Sequence, residues 1–363
     1  MGLIALRYER YLGRELTVAT SLVLLAFLGL FAFFDVINEI RFVGQGNYSV
    51  GHAMAYVVLR LPGRVYELIP ICVLIGALFA LANLARHSEI NVLRVSGVST
   101  TQLLGALFKT AGLFALLTLL VGEFVTPLSE RFAQQLKVRA TSAVVGQEFR
   151  SGLWFKDGLS FVNVRHVLPG ARLQQVRIYR FDDALRLESV TDAQDGDYLP
   201  PDTWRLRSVV VSRLEEGGLQ ADVSRSSEML WKSALTPDIL SVLSIVPERM
   251  ALNHLVAYID HLSANRQKTD RYEIALWKKL IYPLAALVMV ALALPFGYTH
   301  NRVAGASVKI FTGVMIGILF HMLNGMFSSL GVIHAWPPLA SAAAPSVLFL
   351  LAAAAMLWWV ERR

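Results

Sequence analysis

The stretch LTVATSLVLLAFLGLFAFF, residues 16–34, decides the fold. It carries no charge over 19 residues, and about 20 apolar residues are what a helix needs to cross a bilayer. Five more stretches of this kind follow. They are residues 68–85, with Pro70; 101–122, interrupted by Lys109; 280–298; 309–330, with His321; and 339–360, which follow Trp336-Pro337-Pro338 and end in Trp358 and Trp359. A soluble core can bury one such stretch but not six. The expected fold class is therefore an α-helical membrane protein with six transmembrane helices. A polar insert of about 150 residues divides them three and three.

Composition supports this. Hydrophobic residues make up 55% and charged residues 17%, against about 25% charged in soluble domains. The net charge of +7 would suit a nucleic-acid binder, but its location does not. Residues 126–276 hold 19 basic and 19 acidic side chains, so the whole excess flanks the apolar spans. Basic residues there serve topology and anionic headgroups. The single cysteine, Cys72, lies inside a span, which leaves no intrachain disulfide and no cysteine metal site. The first apolar stretch follows Arg7, Arg10 and Arg14 and lacks a small-residue cleavage site, so no cleavable signal peptide is expected.

Six spans put both termini on one side. Arg7, Arg10, Arg14, Arg86, Arg94, Lys109, Arg302, Lys309, Arg362 and Arg363 favour the cytoplasm for that side. The opposite face carries Arg41, Arg60, Arg64, Lys278 and Lys279 beside short segments, an unusual outer basicity. Long domains translocate largely regardless of charge, so the insert is placed outside.

The insert reads as strands. Residues 153–164 form a hairpin around Lys156-Asp157-Gly158, residues 176–181 stop at Asp182-Asp183, and residues 204–211 precede a turn at Glu215-Glu216-Gly217-Gly218. Short strands at this spacing predict an all-β sandwich or jelly roll. The expected division is 1–125 for the first three helices, 126–250 for the β domain, 251–276 for a helical connector and 277–363 for the last three helices. An open sandwich has edge strands, which either recruit other strands or are protected.

No phosphate-binding loop, His-Glu-x-x-His, Gly-x-Ser-x-Gly or clustered metal ligands occur, so no catalytic residue, metal or cofactor is expected on this chain. A membrane-anchored envelope enzyme or a receptor stays open as an alternative. It would need a functional cluster in the insert, which offers only dispersed Asp and Arg with His166 and His254. His321 admits two readings, a proton carrier or a neutral histidine satisfied by a neighbouring helix.

Three constellations stand out. Residues 86–97 predict a short cytoplasmic helix, capped by Ser88 and ended by Gly97, with Ser99 or Thr100 capping the next span. In it Ile90 and Leu93 give an apolar face, and Arg86, Glu89 and Arg94 give polar handles. It is either a docking helix for a soluble partner or a plain connection. Arg41, Lys137, Arg139, Lys278 and Lys279 form the second set. Converging, they would make a cationic ring for a phosphorylated lipid; otherwise they anchor the interface. The third is Gly313-Val314-Met315-Ile316-Gly317, a close-packing face, with Asp35 and Glu39 at the end of the first span marking a polar cavity or the interface.

Several motifs share one order and spacing. They are Gly44-Gln45-Gly46-Asn47-Tyr48; Ser88-Glu89 with Ser96-Gly97; Gly152-Leu153-Trp154 with Lys156-Asp157-Gly158; Trp231-Lys232 with Leu235-Thr236-Pro237; and Tyr272 ahead of Trp277-Lys278. Together they resemble the LptF/LptG family of lipopolysaccharide export permeases over the whole chain, nearer its LptG branch. The resemblance implies a non-catalytic subunit of an ABC exporter in the inner membrane of a Gram-negative bacterium. It implies an LptF-like permease as heterodimer partner, two copies of an LptB-like ATPase, an LptC-like membrane-anchored protein and, indirectly, an LptA-like bridge, with lipopolysaccharide as substrate. The segment at 86–97 would be the coupling helix, with Glu89 as its acidic contact. The first and fifth spans, with Asp35, Gly313 and Gly317, would form lateral gates. The family's lysines late in the first span are missing here, where residues 33–39 read FFDVINE and Arg41 is the nearest cation.

Overall fold

Each apolar stretch becomes a helix in the structure, a computed structural model that describes residues 2–141, 152–168, 172–214, 221–233, 246–265, 267–298 and 306–362. The expected turn at 215–218, the motif at 235–237 and the cations Arg302 and Arg363 lie outside the described residues. Helix α1 is Gly2–Ile40, α2 Val50–Arg86, α3 Glu89–Val95, α4 Thr100–Leu120 and α5 Thr126–Thr141. After the sheet come α6 (Leu252–Ala264), α7 (Asp270–Ile281), α8 (Ala285–Tyr298), α9 (Ala306–His334) and α10 (Pro338–Glu361). Six segments are long and apolar enough to span: Tyr8–Ile40, Val50–Arg86, Thr100–Thr141, Asp270–Gly297, Ile310–His334 and Pro338–Val360.

Helices α2 and α8 form the centre of the bundle. Ile69, Val73, Leu74 and Leu78 of α2 and Ala285, Ala286, Met289 and Ala293 of α8 are almost wholly buried. Small residues let the backbones approach closely where lipid supplies no hydrophobic drive. Helices α1, α9 and α10 each leave an apolar face outward, including Leu25, Phe33, Phe311, Met322 and Leu351.

Gly313 and Gly317 answer the question of which helix they meet. A Cβ at Gly313 would run into the Leu78 side chain, and one at Gly317 would lie 2.7 Å from Ile71 Cγ2. The GxxxG face is therefore turned inward onto α2 rather than outward to another chain. Gly317→Ala is expected to cost about 1–2 kcal/mol through overpacking, read as a lower melting temperature of the detergent-solubilised protein. A melting temperature equal to wild type would show that α9 is not seated here.

The third span does not stop at residue 125. A π-helical turn, Val121–Val125, carries α4 straight into α5, so the expected boundary at 125/126 falls inside one helical run. Gly122 sits in that turn because a Cβ there would meet the Tyr66 ring at 2.5 Å. The expected connector divides into α6 and α7, and α7 enters α8 through the 3₁₀ turn Tyr282–Leu284.

Between the helices lies one antiparallel sheet: β1 (Leu153–Asp157), β2 (Ser160–Leu168), β3 (Arg172–Phe181), β4 (Leu187–Leu199), β5 (Thr203–Leu214) and β6 (Ala221–Lys232). The strands follow chain order across it. The β1–β2 hairpin turns at Gly158, φ +59°, as its sequence predicts. Flat, six strands would hold β1 and β6 about 24 Å apart. Yet the rings of Phe155 on β1 and Trp231 on β6 have centroids 6.4 Å apart. The sheet is rolled around an apolar interior of Val162, Val164, Leu173, Trp204 and Leu206. Its two edges stay unpaired with each other. The expected sandwich-like β domain is thus realised by curling one meander. Gly158 N–H donates to Asn265 Oδ1 at the end of α6 (3.0 Å), fastening the sheet to the connector.

Candidate functional site

At the α2–α4 connection, α3 lies across the end of α8. Gly97, φ +90°, ends it, and Ser99 caps α4 in a reciprocal box with Gln102, both as expected. Ser88 departs from expectation. It adopts a left-handed conformation, φ 59°, and its side chain makes no capping bond. The expected apolar face also turns the other way. Ile90 is 3% exposed, packed beside Gly297 and Leu81, and Leu93 leans on the same core. Those two residues hold α3 to the bundle. The outward apolar residues are Val92 and Val95, 63% and 90% exposed, flanked by exposed Arg86 and Arg94. Glu89 receives a long hydrogen bond from the Tyr11 hydroxyl of α1, 3.5 Å. Nearby, Lys109 is paired with Glu9 at 2.7 Å, tying α4 to α1.

On the opposite side, the structure separates the expected cationic ring into paired and unpaired members. Lys137 contacts Glu39 at 2.8 Å and lies over the rings of Phe42 and Tyr56. The Tyr48 hydroxyl donates to the same carboxylate, 2.8 Å. Burial and that carboxylate push the Tyr48 hydroxyl well above its usual range, so it stays a donor. Lys279 is buried, contacts Glu123 at 3.0 Å and donates to the Met250 carbonyl. Arg41 folds back on Asn38 of its own helix end, and Arg139 is exposed in the last turn of α5. Lys278 donates to the Ser328 hydroxyl at 3.3 Å and forms no ion pair among the described residues.

The unusual outer basicity therefore has a largely internal explanation. Asp35, expected at a gate, holds Arg64 of α2 in a bidentate pair, 2.8 and 3.0 Å. Arg64 also reaches Glu67 at 3.2 Å. Glu67 in turn meets Arg249 at 3.0 Å, and Arg249 meets Glu130 at 3.1 Å. Arg60 closes on Glu130 at 3.6 Å. Burial alone would lower the basicity of Arg249, but Glu67 and then Glu130 outweigh it and raise it. Glu123 accepts the Leu252 N–H as well as pairing with Lys279. The alternating chain from Asp35 to Arg60 joins α1, α2 and α5 to the segment where the chain returns from the sheet, and the separate Glu123–Lys279 pair joins the π turn to α7. Glu67, Glu123, Glu130 and Arg249 were not picked out from sequence. For the three glutamates the only signal was a carboxylate near an apolar span, and Arg249 gave none.

Between α2, the start of α5, α7 and α9 lies a cavity of about 300 Å³, bordered by Tyr66, Glu67, Thr126, Lys278 and His321.

A family profile described as lipopolysaccharide export system permease LptF/LptG matches residues 10–359. A protein of Haemophilus influenzae named lipopolysaccharide export system permease protein LptG is 32% identical over 356 residues, 98% of each chain. A protein of the same name from Escherichia coli K12 is 31% identical over 356 residues, again 98% of each. Six spans, a rolled β domain between the third and fourth, and full-length similarity agree: the chain belongs to the LptF/LptG family of lipopolysaccharide export permeases.

Proposed function

We propose that this permease works as the LptG-type half of an ABC exporter. It pairs with an LptF-like permease, is driven by two copies of an LptB-like ATPase, and is accompanied by an LptC-like membrane-anchored protein. Its β domain hands lipopolysaccharide towards an LptA-like bridge. The chain sits in the inner membrane with both termini cytoplasmic and the β domain periplasmic, and it carries no cofactor and no catalytic residue of its own. Its sequence has no phosphate-binding loop, so the energy must enter through a contact with another subunit.

The observation that carries this reading is the seating of α3. Ile90 and Leu93 anchor it to the bundle, while Val92 and Val95 face outward beside exposed Arg86 and Arg94 and partly exposed Glu89, the surface offered to a soluble partner. A helix held by its inner face transmits a push on its outer face. The Tyr11–Glu89 and Lys109–Glu9 contacts pass that motion to α1 and α4. Movement of α1 and α9 admits lipid from the outer leaflet, and Arg41, Arg139 and Lys278, which form no ion pair among the described residues, serve its phosphates at the rim, while Lys137 and Lys279 stay on Glu39 and Glu123. Lifting acyl chains out of an apolar cavity costs about 0.8 kcal/mol per exposed methylene, which is why an ATP-driven step is required. The rolled sheet, with its apolar interior, shortens the exposed part of that path.

Glu89→Arg is expected to reduce lipid-stimulated ATPase activity of the assembled complex several-fold while leaving the melting temperature of this subunit unchanged, because the side chain is partly exposed. Full stimulation in that variant would remove Glu89 from the coupling contact.

A further inference from the structure

The cavity beside α9 has polar groups that the protein leaves unused. The Thr126 hydroxyl oxygen is buried, with the residue 2% exposed, and has no hydrogen-bond partner among the described residues. Asn324 is 6% exposed, and its side-chain amide makes no hydrogen bond among the described residues. His321, one turn before it on the same face of α9, likewise has none. Lys278 has a single long bond to Ser328. A buried polar group without a partner is costly, so the Thr126 hydroxyl, facing the same space as an Asn324 amide that makes no bond, needs an explanation.

The wall charges say what would satisfy them. Glu67 is spent on Arg64 and Arg249, Lys279 on Glu123, and Arg249 on Glu67 and Glu130. Of the remaining lining charges, Lys278 lies inside and Glu248 is exposed at the edge. What faces the interior is one ammonium that forms no ion pair among the described residues, with the Glu248 carboxylate at the edge, and three groups able to donate: a hydroxyl, an amide and an imidazole N–H in either tautomer. Such a set fits an oxyanion with several acceptor oxygens. About 300 Å³ holds a phosphoryl group with its ester substituent. His321 is exposed, and Leu319, Met322 and Met326 continue from it as an outward apolar strip on α9. Gly325 keeps the space open, because a Cβ there would meet nothing within 4 Å.

We infer that this cavity binds the phosphoryl headgroup of a membrane lipid, with Lys278 as its charged contact, Thr126, Asn324 and His321 as further hydrogen-bond donors, and the acyl chain along α9. The site rests on the chain being a lipid-facing permease and not on its coupling to an ATPase. Two lipids carry this chemistry, a bilayer glycerophospholipid and the exported lipopolysaccharide, and one experiment separates them.

The purified permease assembly, without nucleotide, is titrated with dioctanoyl phosphatidylglycerol, with dioctanoylglycerol as the phosphate-free probe, and with lipopolysaccharide, and bound lipid is counted by native mass spectrometry. Phosphatidylglycerol binding that falls about tenfold or more in Lys278→Gln, persists in Lys278→Arg and is lost in Gly325→Leu supports the site with a bilayer lipid as its source. The same pattern for lipopolysaccharide alone supports the site with the exported lipid as its source. Arg213→Gln, on an exposed strand position, should change nothing. Equal binding of dioctanoylglycerol overturns the proposal. So does unchanged binding of both phosphorylated lipids in Lys278→Gln and Gly325→Leu. Because no nucleotide is present, failure here leaves the coupling test at Glu89 standing, and failure there leaves this one standing.

Discussion

Arg249→Ala is expected to destabilise the folded permease by about 3–5 kcal/mol. Arg249 is the link between two carboxylates, at 3.0 Å from Glu67 and 3.1 Å from Glu130. The Glu130 side chain is 4% exposed, so losing its partner leaves a charge with no water to replace it. Arg60, at 3.6 Å, is too distant to take over fully. The loss would appear as a lower melting temperature and as faster proteolysis near residue 249, where the sheet rejoins the bundle. The sharper measurement is the triple variant Arg249→Met, Glu67→Gln, Glu130→Gln. Removing all three charges should recover most of the loss, since a missing buried network costs less than a broken one. If Arg249→Ala melts like wild type, the chain of charges is not what holds the junction.

Gly76→Ala should rank second, at the upper end of the roughly 1–3 kcal/mol expected for overpacking. Here the obstacle is backbone. The added Cβ would lie 2.7 Å from both Cα and N of Thr20 on α1. A side chain can rotate away, as Ile71 can from Gly317, but a helix backbone has to move as a whole. The variant is therefore expected to push α1 off α2 as well as to destabilise. Cysteine crosslinking between α1 and α2 would read that displacement. Crosslinking at wild-type efficiency, with wild-type melting, would mean that the two helices do not touch at this point.

These two sites show what the sequence could and could not disclose. The six spans were legible because each is long, apolar and nearly free of charge, a property of one segment that needs no partner. The β1–β2 hairpin was legible for the same reason, its turn and alternation being local. The ion chain was not, because Arg249 and Glu67 lie 182 residues apart and neither signals the other. The outward surplus of arginine and lysine was visible, but not the buried carboxylates that absorb most of it. The seven residues of α3 carry apolar side chains on two sides, Ile90 with Leu93 and Val92 with Val95, and a stretch so short has no periodicity that says which side the bundle takes. Gly313 and Gly317 announced a close approach without naming the helix approached. The Lys278 cavity was half visible. The lysine stood out by charge, whereas Thr126 and Asn324 are ordinary residues until three helices bring them to one space.

The π turn at Val121–Val125 carries one more consequence. Each residue of an α-helix advances the direction of its side chain by about 100°. The extra residue held in that turn therefore sets the azimuth of everything that follows it on α5, including Glu130 and Lys137, which must face Arg249 and Glu39. Shortening the segment by one residue would leave every amino acid of the outer network present and would aim Glu130 and Lys137 at the wrong neighbours. The length of this helix is as much a determinant of the charge pattern as the residues that carry the charge.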